Sequence, residues 1–283
     1  MTELTRELNG KYRMLQSILR EMDSLAIGYS GGVDSTLLLK VAHDTIGDRV
    51  IAVIGQSETY PTREFEEARS LAQEIGARFE VVKTEETDVL KFKENPPNRC
   101  YFCKTELFGK VKEIAGRDNI QWIADGSNVD DRGDFRPGMA ANREKNVRSP
   151  LLEAHMTKND IRELSRYLNL RTWNKQSFAC LSSRFPYGQS IDKQKLSKID
   201  RAENVLRDSG FNYFRARHHD DRTVRIEVGP TEIKRFADDS FRENIVSALK
   251  EIGFTYITLD LFGFRSGSMN EVLTDAEKKQ YTT

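Results

Sequence analysis

The first part of the chain alternates short apolar runs with amphipathic helical segments. The apolar runs lie at residues 25–29, 50–54, 79–82 and 122–124. Apolar residues at helical spacing fall before and between them: Leu4, Leu8, Tyr12, Leu15 and Ile18, then Phe65, Ala68, Leu71, Ala72 and Ile75 ended by Gly76, then Leu107, Val111 and Ile114. Strands that alternate with helices are typical of a parallel sheet. This part is therefore predicted to be α/β.

The pattern changes after residue 190. A helix ended by Gly210 is followed by predicted strands near Phe214, at residues 224–228 and at residues 254–261, with helical runs over residues 231–252. This order predicts a smaller α+β domain. We expect two domains, residues 1–188 and residues 189–283, with the polar and aromatic loop 174–188 closing the first.

A glycine turn lies between the first predicted strand and the next predicted helix. Its residues are Ser30, Gly31, Gly32, Val33, Asp34 and Ser35. Two glycines let successive N–H groups face one anion, and the helix N-terminus adds partial positive charge. Neither a Walker A loop nor a dinucleotide fingerprint fits the spacing. The turn predicts a phosphate site, and the alternative is an ordinary turn capped by Ser30 or Asp34.

Asp34 lies inside this turn, where a carboxylate would repel phosphate unless a cation lies between them. Mg²⁺ takes carboxylate and phosphate oxygens as ligands. We therefore expect Asp34 to bind magnesium.

Composition and charge narrow the class of protein. The 44 basic residues balance the 44 acidic ones, so the net charge favours neither nucleic acid nor an anionic membrane as partner. No apolar stretch approaches the roughly 20 residues of a membrane span, and residues 1–4 lack the layout of a signal peptide. The expected location is cytoplasmic, where thiols stay reduced.

The three cysteines are candidates for metal ligation. Cys100 and Cys103 are spaced so that two thiolates reach one metal centre, and Cys180 would be a third ligand. Three thiolates suit an iron–sulfur cluster with one open iron, whereas zinc would need a histidine such as His155. A redox pair, or unrelated buried thiols, are the other interpretations.

Other polar residues follow predicted strands. Asp125, Gly126, Ser127 and Asn128 come directly after the strand at 122–124, although the composition of residues 125–137 alone predicts a solvated loop. Arg184 could bind phosphate or carboxylate through two N–H groups. Arg215 and Arg217 alternate along a strand, which suits either a phosphate clamp or a solvated face.

Together, several segments resemble the LarE family of ATP-dependent sulfur transferases. The first segment, 30–35, is similar to the PP-loop of ATP pyrophosphatases, and Gly126 to Asn128 resemble a segment near the nucleotide in such enzymes. The others are residues 99–104, Asp134 to Gly138, Ser182 to Gly188, and Leu259 to Asn270. The resemblance covers nearly the whole chain and implies an adenine nucleotide alpha hydrolase-like fold for the first domain.

This resemblance implies a reaction. The substrate would be pyridinium-3,5-biscarboxylic acid mononucleotide, whose carboxylates are adenylated by ATP with Mg²⁺ and converted to thiocarboxylates during nickel-pincer nucleotide synthesis. Family likeness places the substrate phosphate at Ser183, Arg215 and Arg217, and the ATP phosphates near Lys104 and Arg184. It also implies a homo-oligomer with a small-molecule substrate.

The family resemblance also bears on the source of sulfur. The best-known members sacrifice a cysteine that would fall at Ala179, one place before Cys180. Cys100, Cys103 and Cys180 resemble the three-cysteine subset, which implies a [4Fe-4S] cluster that carries an extra sulfide. We expect those cysteines, with Asp34 and Ser183, to form the catalytic set.

Three other functions fit parts of the sequence. A tRNA thiolase would combine the PP-loop with three cysteines, but it needs a broad basic surface or an RNA-binding module. A carboxylate-amidating synthetase would not need the thiols. A zinc-stabilised nucleotide-binding regulator would carry out no chemistry.

Overall fold

A computed structural model describes residues 4–133, 137–176 and 179–281. The strands are β1 (Leu25–Gly28), β2 (Val50–Gln56), β3 (Arg78–Lys83), β4 (Trp122–Ala124), β5 (Phe214–His218), β6 (Thr223–Val228) and β7 (Tyr256–Leu259). The α-helices are α1 (Arg6–Met22), α2 (Val33–Ile46), α3 (Thr62–Ile75), α4 (Leu90–Lys93), α5 (Arg99–Arg117), α6 (Gly138–Glu144), α7 (Pro150–Glu153), α8 (Lys158–Tyr167), α9 (Lys193–Asp208), α10 (Asp239–Glu251) and α11 (Asp275–Gln280).

The chain forms two compact units. The first comprises residues 1–86, 98–178 and 281–283, and the second comprises residues 87–97 and 179–280. The second unit thus includes a short piece that precedes α5 in the chain. The domains expected at residues 1–188 and 189–283 stay a prediction.

The first unit is built on a parallel sheet of strand order β3-β2-β1-β4 within the described residues. Leu25 of β1 pairs with Val50 on one side and with Trp122 on the other. The predicted parallel sheet and the α/β class are confirmed, and β1, β2 and β3 match the predicted runs to within two residues at each end. Because all four strands run the same way, the loops after β1 and β4 meet at one edge of the sheet.

Helices cover both faces of this sheet. Leu25 and Ile27 of β1 pack into the core that contains α1, α2 and α8, whereas Ala26 packs into the core that contains α5. Alternate residues of a strand point to opposite faces, so β1 supplies both cores. The sheet therefore holds the turn after β1 on a packed scaffold.

The second unit contains a sheet of order β5-β6-β7. β5 and β6 are antiparallel, with Phe214 opposite Val228, and β7 runs parallel to β6. The helical run predicted from residue 231 forms a 3-10 helix at Pro230–Ala237 before α10 begins. The strand predicted at 254–261 is shorter, because only Tyr256–Leu259 pair with β6.

None of the helices in the described ranges is both long and apolar enough to cross a membrane.

Candidate functional site

The turn after β1 has the backbone that the glycines predict. Gly31 has a φ of 60°, a left-handed conformation that favours glycine. A Cβ atom on Gly31 would lie 2.7 Å from the Cβ of Ala68 in α3. Gly32 is the N-cap of α2. Residue 31 must therefore be glycine both for its φ and for the close approach of α3.

Side chains from elsewhere hold the carbonyl groups of this turn. The Tyr60 hydroxyl donates a 2.6 Å hydrogen bond to the Ser30 carbonyl, and the Lys175 ammonium donates to the Gly31 carbonyl at 3.3 Å. Lys175 is also paired with Glu64 and Glu67 of α3, at 2.8 Å each. Burial raises the pKa of Tyr60, so its hydroxyl stays protonated and can donate. These contacts fix the orientation of the loop before any ligand binds.

The hydroxyl groups of the turn contact each other. Ser30 Oγ lies 3.2 Å from Ser35 Oγ, and the Ser30 N–H lies 3.4 Å from the same atom. The first N–H groups of α2 have no partner within the helix, as at any helix N-terminus. Hydroxyl and N–H donors thus collect where a phosphate would bind.

Asp34 lies in the first turn of α2, and both of its carboxylate oxygens accept hydrogen bonds. Asn128 Nδ2 donates to Oδ1 at 3.2 Å, and the Lys158 ammonium contacts Oδ2. A carboxylate beside a phosphate-binding turn is a ligand type that Mg²⁺ prefers. The residues present therefore fit a magnesium ion, provided that one of these two partners gives way.

The loop after β4 packs against the start of α2. A Cβ atom on Gly126 would lie 2.9 Å from the Ser35 nitrogen. Gly126 therefore lets this loop approach the helix N-terminus, and Asn128 reaches Asp34 from it.

Asp125 is a buried acceptor beneath the same loop. Its carboxylate accepts hydrogen bonds from the hydroxyls of Ser127 (2.6 Å) and Ser149 (2.8 Å), from the Asn142 amide (2.6 Å) and from Lys104 (3.2 Å). Burial alone would raise the pKa of Asp125, but the Lys104 charge and the hydroxyl donors outweigh it, so the pKa is lowered. Asp125 is therefore ionised and holds the Lys104 side chain.

The solvated loop predicted from composition at residues 125–137 is wrong for four of its polar residues. Asp125, Ser127, Asn128 and Asp131 are all buried. The polar side chains satisfy one another, so the loop can pack inside the unit. Asp134, Phe135 and Arg136 lie outside the described residues.

Cys100 and Cys103 lie in the first turns of α5, three residues apart and so on one side of the helix. Both are half-buried thiols outside any disulfide. Cys103 Sγ lies 4.0 Å from Glu86 Oε1, whose other partners are the hydroxyls of Ser57 and Thr59. Within the described ranges, no three His, Cys, Asp or Glu side chains are grouped to hold a metal ion.

Cys180 belongs to the second unit, where it caps the 3-10 helix Leu181–Arg184. Its thiol is half-buried and forms no disulfide. The Ser183 hydroxyl donates to the Cys180 carbonyl at 2.8 Å. This places two of the predicted catalytic residues, Cys180 and Ser183, on one short turn.

Arg184 lies inside the second unit with no exposed side-chain surface. Its guanidinium forms a two-point ion pair with Glu203, at 2.7 and 2.9 Å. Nη1 also donates to the carbonyls of Ala179 and Cys180. The predicted contact of Arg184 with ATP phosphates stays a prediction, since these donors are engaged within the unit.

Arg215 and Arg217 are buried next to this pair. Arg217 forms a two-point ion pair with Glu227, at 2.9 and 2.8 Å, and donates to the Ser183 carbonyl at 2.9 Å. Burial and the neighbouring Arg184 lower the pKa of Arg215 to about 9. The solvated face considered for Arg215 and Arg217 is wrong, because both side chains are inside the unit.

The sequence patterns did not connect three residues with the PP-loop. Tyr60 and Lys158 belong to no motif, and Lys175 lies in the polar loop 174–188, far from the turn in the chain. Lys158 begins α8 beside a capping box formed by Thr157 and Asp160. The box predicts a helix start, but only the fold brings that start to Asp34.

The sequence of this chain is similar to one family model and to several known proteins. The NAD synthase family model matches residues 9–107, which include the glycine turn. The chain is 42% identical to an uncharacterized protein of Synechocystis over 94% of this chain and 99% of that one. It is 29% identical to an uncharacterized protein of Methanocaldococcus jannaschii over 86% of this chain and 91% of that one.

A further relative covers almost the full length of both proteins. It is the pyridinium-3,5-bisthiocarboxylic acid mononucleotide synthase of Lactiplantibacillus plantarum, 38% identical over 94% of this chain and 96% of that one. With this likeness over nearly the whole length, and with the glycine turn built as a PP-loop, the chain belongs to the LarE family of ATP-dependent sulfur transferases.

Proposed function

We propose that this enzyme uses ATP to convert the carboxylates of pyridinium-3,5-biscarboxylic acid mononucleotide to thiocarboxylates. The observation that carries the proposal is the likeness, over nearly the whole of both chains, to a synthase of the bisthiocarboxylic acid mononucleotide. A carboxylate is a poor electrophile. Its oxygen attacks the α-phosphorus of ATP, pyrophosphate leaves, and the carboxyl carbon becomes an acyl adenylate.

The PP-loop residues bind the ATP phosphates in this proposal. Ser30, Gly31, Gly32 and Ser35 supply hydroxyl and N–H donors, and Asp34 holds Mg²⁺ near the leaving pyrophosphate. Gly126 keeps the loop after β4 against them. Lys104 is paired with Asp125 and its side chain is 34% exposed. In this proposal its ammonium contacts an ATP phosphate.

The buried arginines support binding of the substrate phosphate in the second unit. Three buried guanidinium groups lie beside two buried carboxylates, and the excess positive charge is costly away from water. The guanidinium groups belong to Arg184, Arg215 and Arg217, and the carboxylates belong to Glu203 and Glu227. The pKa of Arg215 is lowered because burial and the nearby Arg184 make its charged form less favourable. A bound phosphate dianion would relieve it, with Ser183, Arg215 and Arg217 as the ligands.

Sulfur enters in the second half-reaction. A sulfide nucleophile attacks the acyl carbon, AMP leaves with the bonding electron pair, and a thiocarboxylate remains. Two rounds give the dithio product.

We propose that Cys100, Cys103 and Cys180 ligate a [4Fe-4S] cluster. Cys100 and Cys103 fit that role, because both sulfurs lie on one side of α5 near its N-terminus, where a thiolate is stabilised. A cluster bound there supplies a renewable source of sulfide. By the family resemblance, the cysteine that is sacrificed in other members would fall at position 179, which is alanine in this chain. We further propose a cytoplasmic homo-oligomer.

The test is turnover of anaerobically purified enzyme with the pyridinium mononucleotide, ATP, Mg²⁺ and sulfide. We expect release of pyrophosphate and AMP that depends on the mononucleotide, and a product heavier by one oxygen-to-sulfur exchange per carboxylate. Repeated turnover per chain supports a renewable sulfur source. Pyrophosphate release with tRNA in place of the mononucleotide would overturn the substrate assignment.

A further inference from the structure

Lys158 forms an ion pair with the one carboxylate in the PP-loop. Its ammonium contacts Asp34 Oδ2, on the residue assigned above to Mg²⁺. We propose that Lys158 takes the place of the divalent cation in the ATP-free enzyme, and that it moves from Asp34 to the ATP phosphates when the ion arrives. This inference rests on the proposed function of the PP-loop.

The base of the Lys158 side chain is fixed. Lys158 is the first residue of α8, directly after the N-cap Thr157, and its N–H donates to Asp130. Thr157 and Asp160 close a capping box there, and Asp160 is also paired with Lys11 of α1 at 2.8 Å. The backbone is thus held by three contacts, while the four-carbon stem stays free to move its ammonium over several ångströms.

The other partner of Asp34 cannot move as easily. Asn128 accepts a 2.9 Å hydrogen bond from the Asp130 N–H at its Oδ1, and its own N–H donates to Asp131 at 3.0 Å. The side-chain amide of Asn128 is therefore held through Oδ1, and its backbone through the N–H, while Nδ2 contacts Asp34. When a cation reaches Asp34, Lys158 is the partner that leaves.

Charge makes this exchange necessary. Mg²⁺ binds a carboxylate oxygen at about 2.1 Å, so an ammonium on the same carboxylate would lie only a few ångströms from a double positive charge. The two cations repel each other at Asp34, which favours displacement of the Lys158 ammonium. The Lys158 side chain is 30% exposed and that of Asp34 is 24% exposed, so both are open to an arriving ligand.

The pair has a consequence for the order of binding. Without Lys158, the empty turn would present a bare carboxylate to the incoming triphosphate. With Lys158 in place, the charge of Asp34 is already neutralised, and the phosphates meet a cation. Lys158 therefore lowers the affinity of the ATP-free enzyme for divalent ions and raises its affinity for the nucleotide.

The experiment measures Mn²⁺ binding to ATP-free enzyme by electron paramagnetic resonance of the unbound ion. We expect Lys158→Met to bind Mn²⁺ at least about tenfold more tightly than the unsubstituted enzyme. Its affinity for ATP in the presence of Mg²⁺ should fall by about tenfold, since a charge-assisted contact to phosphate is lost. Lys158→Arg keeps the charge and should bind Mn²⁺ no more tightly than the unsubstituted enzyme.

Lys40→Met is the matched control. It removes an ammonium paired with Asp44 on the same helix α2, at 2.7 Å, away from the PP-loop. It should leave Mn²⁺ and ATP affinities unchanged. Melting temperatures of all variants show whether each is folded, and Lys158→Gln serves in place of Lys158→Met if the latter is not.

Equal Mn²⁺ affinity in Lys158→Met and the unsubstituted enzyme overturns the inference. If only the melting temperature falls and the Mn²⁺ affinity does not change, the Lys158–Asp34 ion pair is structural. The Asp34→Asn variant distinguishes failure of the proposed exchange from failure of the proposed magnesium site. If Asp34→Asn loses the ion while Lys158→Met changes nothing, only the exchange is wrong. If Asp34→Asn binds Mn²⁺ normally, the assignment of Mg²⁺ to Asp34 is wrong as well.

Discussion

Arg184 and Glu203 face each other in the interior of the second unit, joined by two N–H···O hydrogen bonds of 2.7 and 2.9 Å. The same guanidinium donates to the carbonyls of Ala179 and Cys180, so it also orders the backbone that carries the third cysteine. Burial would raise the pKa of Glu203, but Arg184 lowers it below its ordinary value. This pair connects folding of the second unit with placement of Cys180.

Removing one member of this pair should destabilise the second unit strongly. Arg184→Met leaves the Glu203 charge buried without that partner, which typically costs about 3–5 kcal/mol. Urea unfolding of Arg184→Met, Glu203→Met and the double variant measures the coupling. The double variant should be more stable than the sum of the single effects predicts, whereas additive effects would show that the two residues act independently.

Substitutions in the PP-loop should abolish ATP cleavage without unfolding the protein. Asp34→Asn removes the expected magnesium ligand, and Ser35→Ala removes a hydroxyl that lies 3.2 Å from Ser30 Oγ. Each should lower mononucleotide-dependent pyrophosphate release by about 10²–10³. Asp44→Asn, an exposed position of the same helix, should keep normal rates. Near-normal release in both PP-loop variants would refute the assignment.

The arginine pair of β5 should determine affinity for the mononucleotide. Arg215→Gln or Arg217→Gln removes a charge-assisted contact to phosphate, worth about 1.5–3 kcal/mol, and leaves the PP-loop intact. Calorimetric titrations with the mononucleotide and with ATP separate the two sites. Arg222→Gln changes an exposed arginine of the same unit and should bind both normally. Equal loss of both ligands would indicate misfolding or another site.

The three cysteines should be required together. Each of Cys100→Ser, Cys103→Ser and Cys180→Ser should reduce the iron content and abolish thiolation, because a cluster with only three protein ligands tolerates further loss poorly. Adenylation should survive, since it needs only the nucleotide site. Intact mass before and after turnover is the decisive measurement. Dehydroalanine at position 180, in protein without iron, would disprove the cluster.

Asp125 should make stability depend on pH in the acid range. Its pKa is lowered from an ordinary value of 3.8, so its contribution is present above that value and is lost as the pH falls through the lower pKa of the folded protein. Asp125→Asn should therefore be less stable than the unsubstituted protein at pH 7, and the difference should narrow below about pH 3.8. Urea unfolding at several pH values checks this.

Asp48→Asn makes the same change at an exposed position and should have little effect at any pH. A pH-independent difference for Asp125→Asn would mean that hydrogen bonding rather than charge accounts for its role.

Local pattern predicts the scaffold well. The strand at Trp122–Ala124 and the helix end at Gly76 follow from apolar periodicity and from a glycine that takes a positive φ. This strand and this helix end are determined by residues close to them in the sequence. The positive φ of Gly31 is likewise a local demand, whereas the close approach of α3 to the same residue is a tertiary contact.

Tertiary contacts account for what local pattern missed. Composition favours solvent exposure for Asp125, yet the residue is buried because Ser149 and Asn142 satisfy it from other elements. Lys158 reaches Asp34 across 124 positions of chain. The residues around Lys158 and Asp34 form no pattern that predicts their contact, so only the fold reveals the pair.

The two carbonyl contacts of the PP-loop, from Tyr60 to Ser30 and from Lys175 to Gly31, have a thermodynamic consequence. The loop loses its conformational entropy when the protein folds, and not when the nucleotide arrives. Association with ATP therefore avoids most of the entropic cost of ordering a flexible glycine turn. Substituting Tyr60 by phenylalanine would transfer part of that cost from folding to binding.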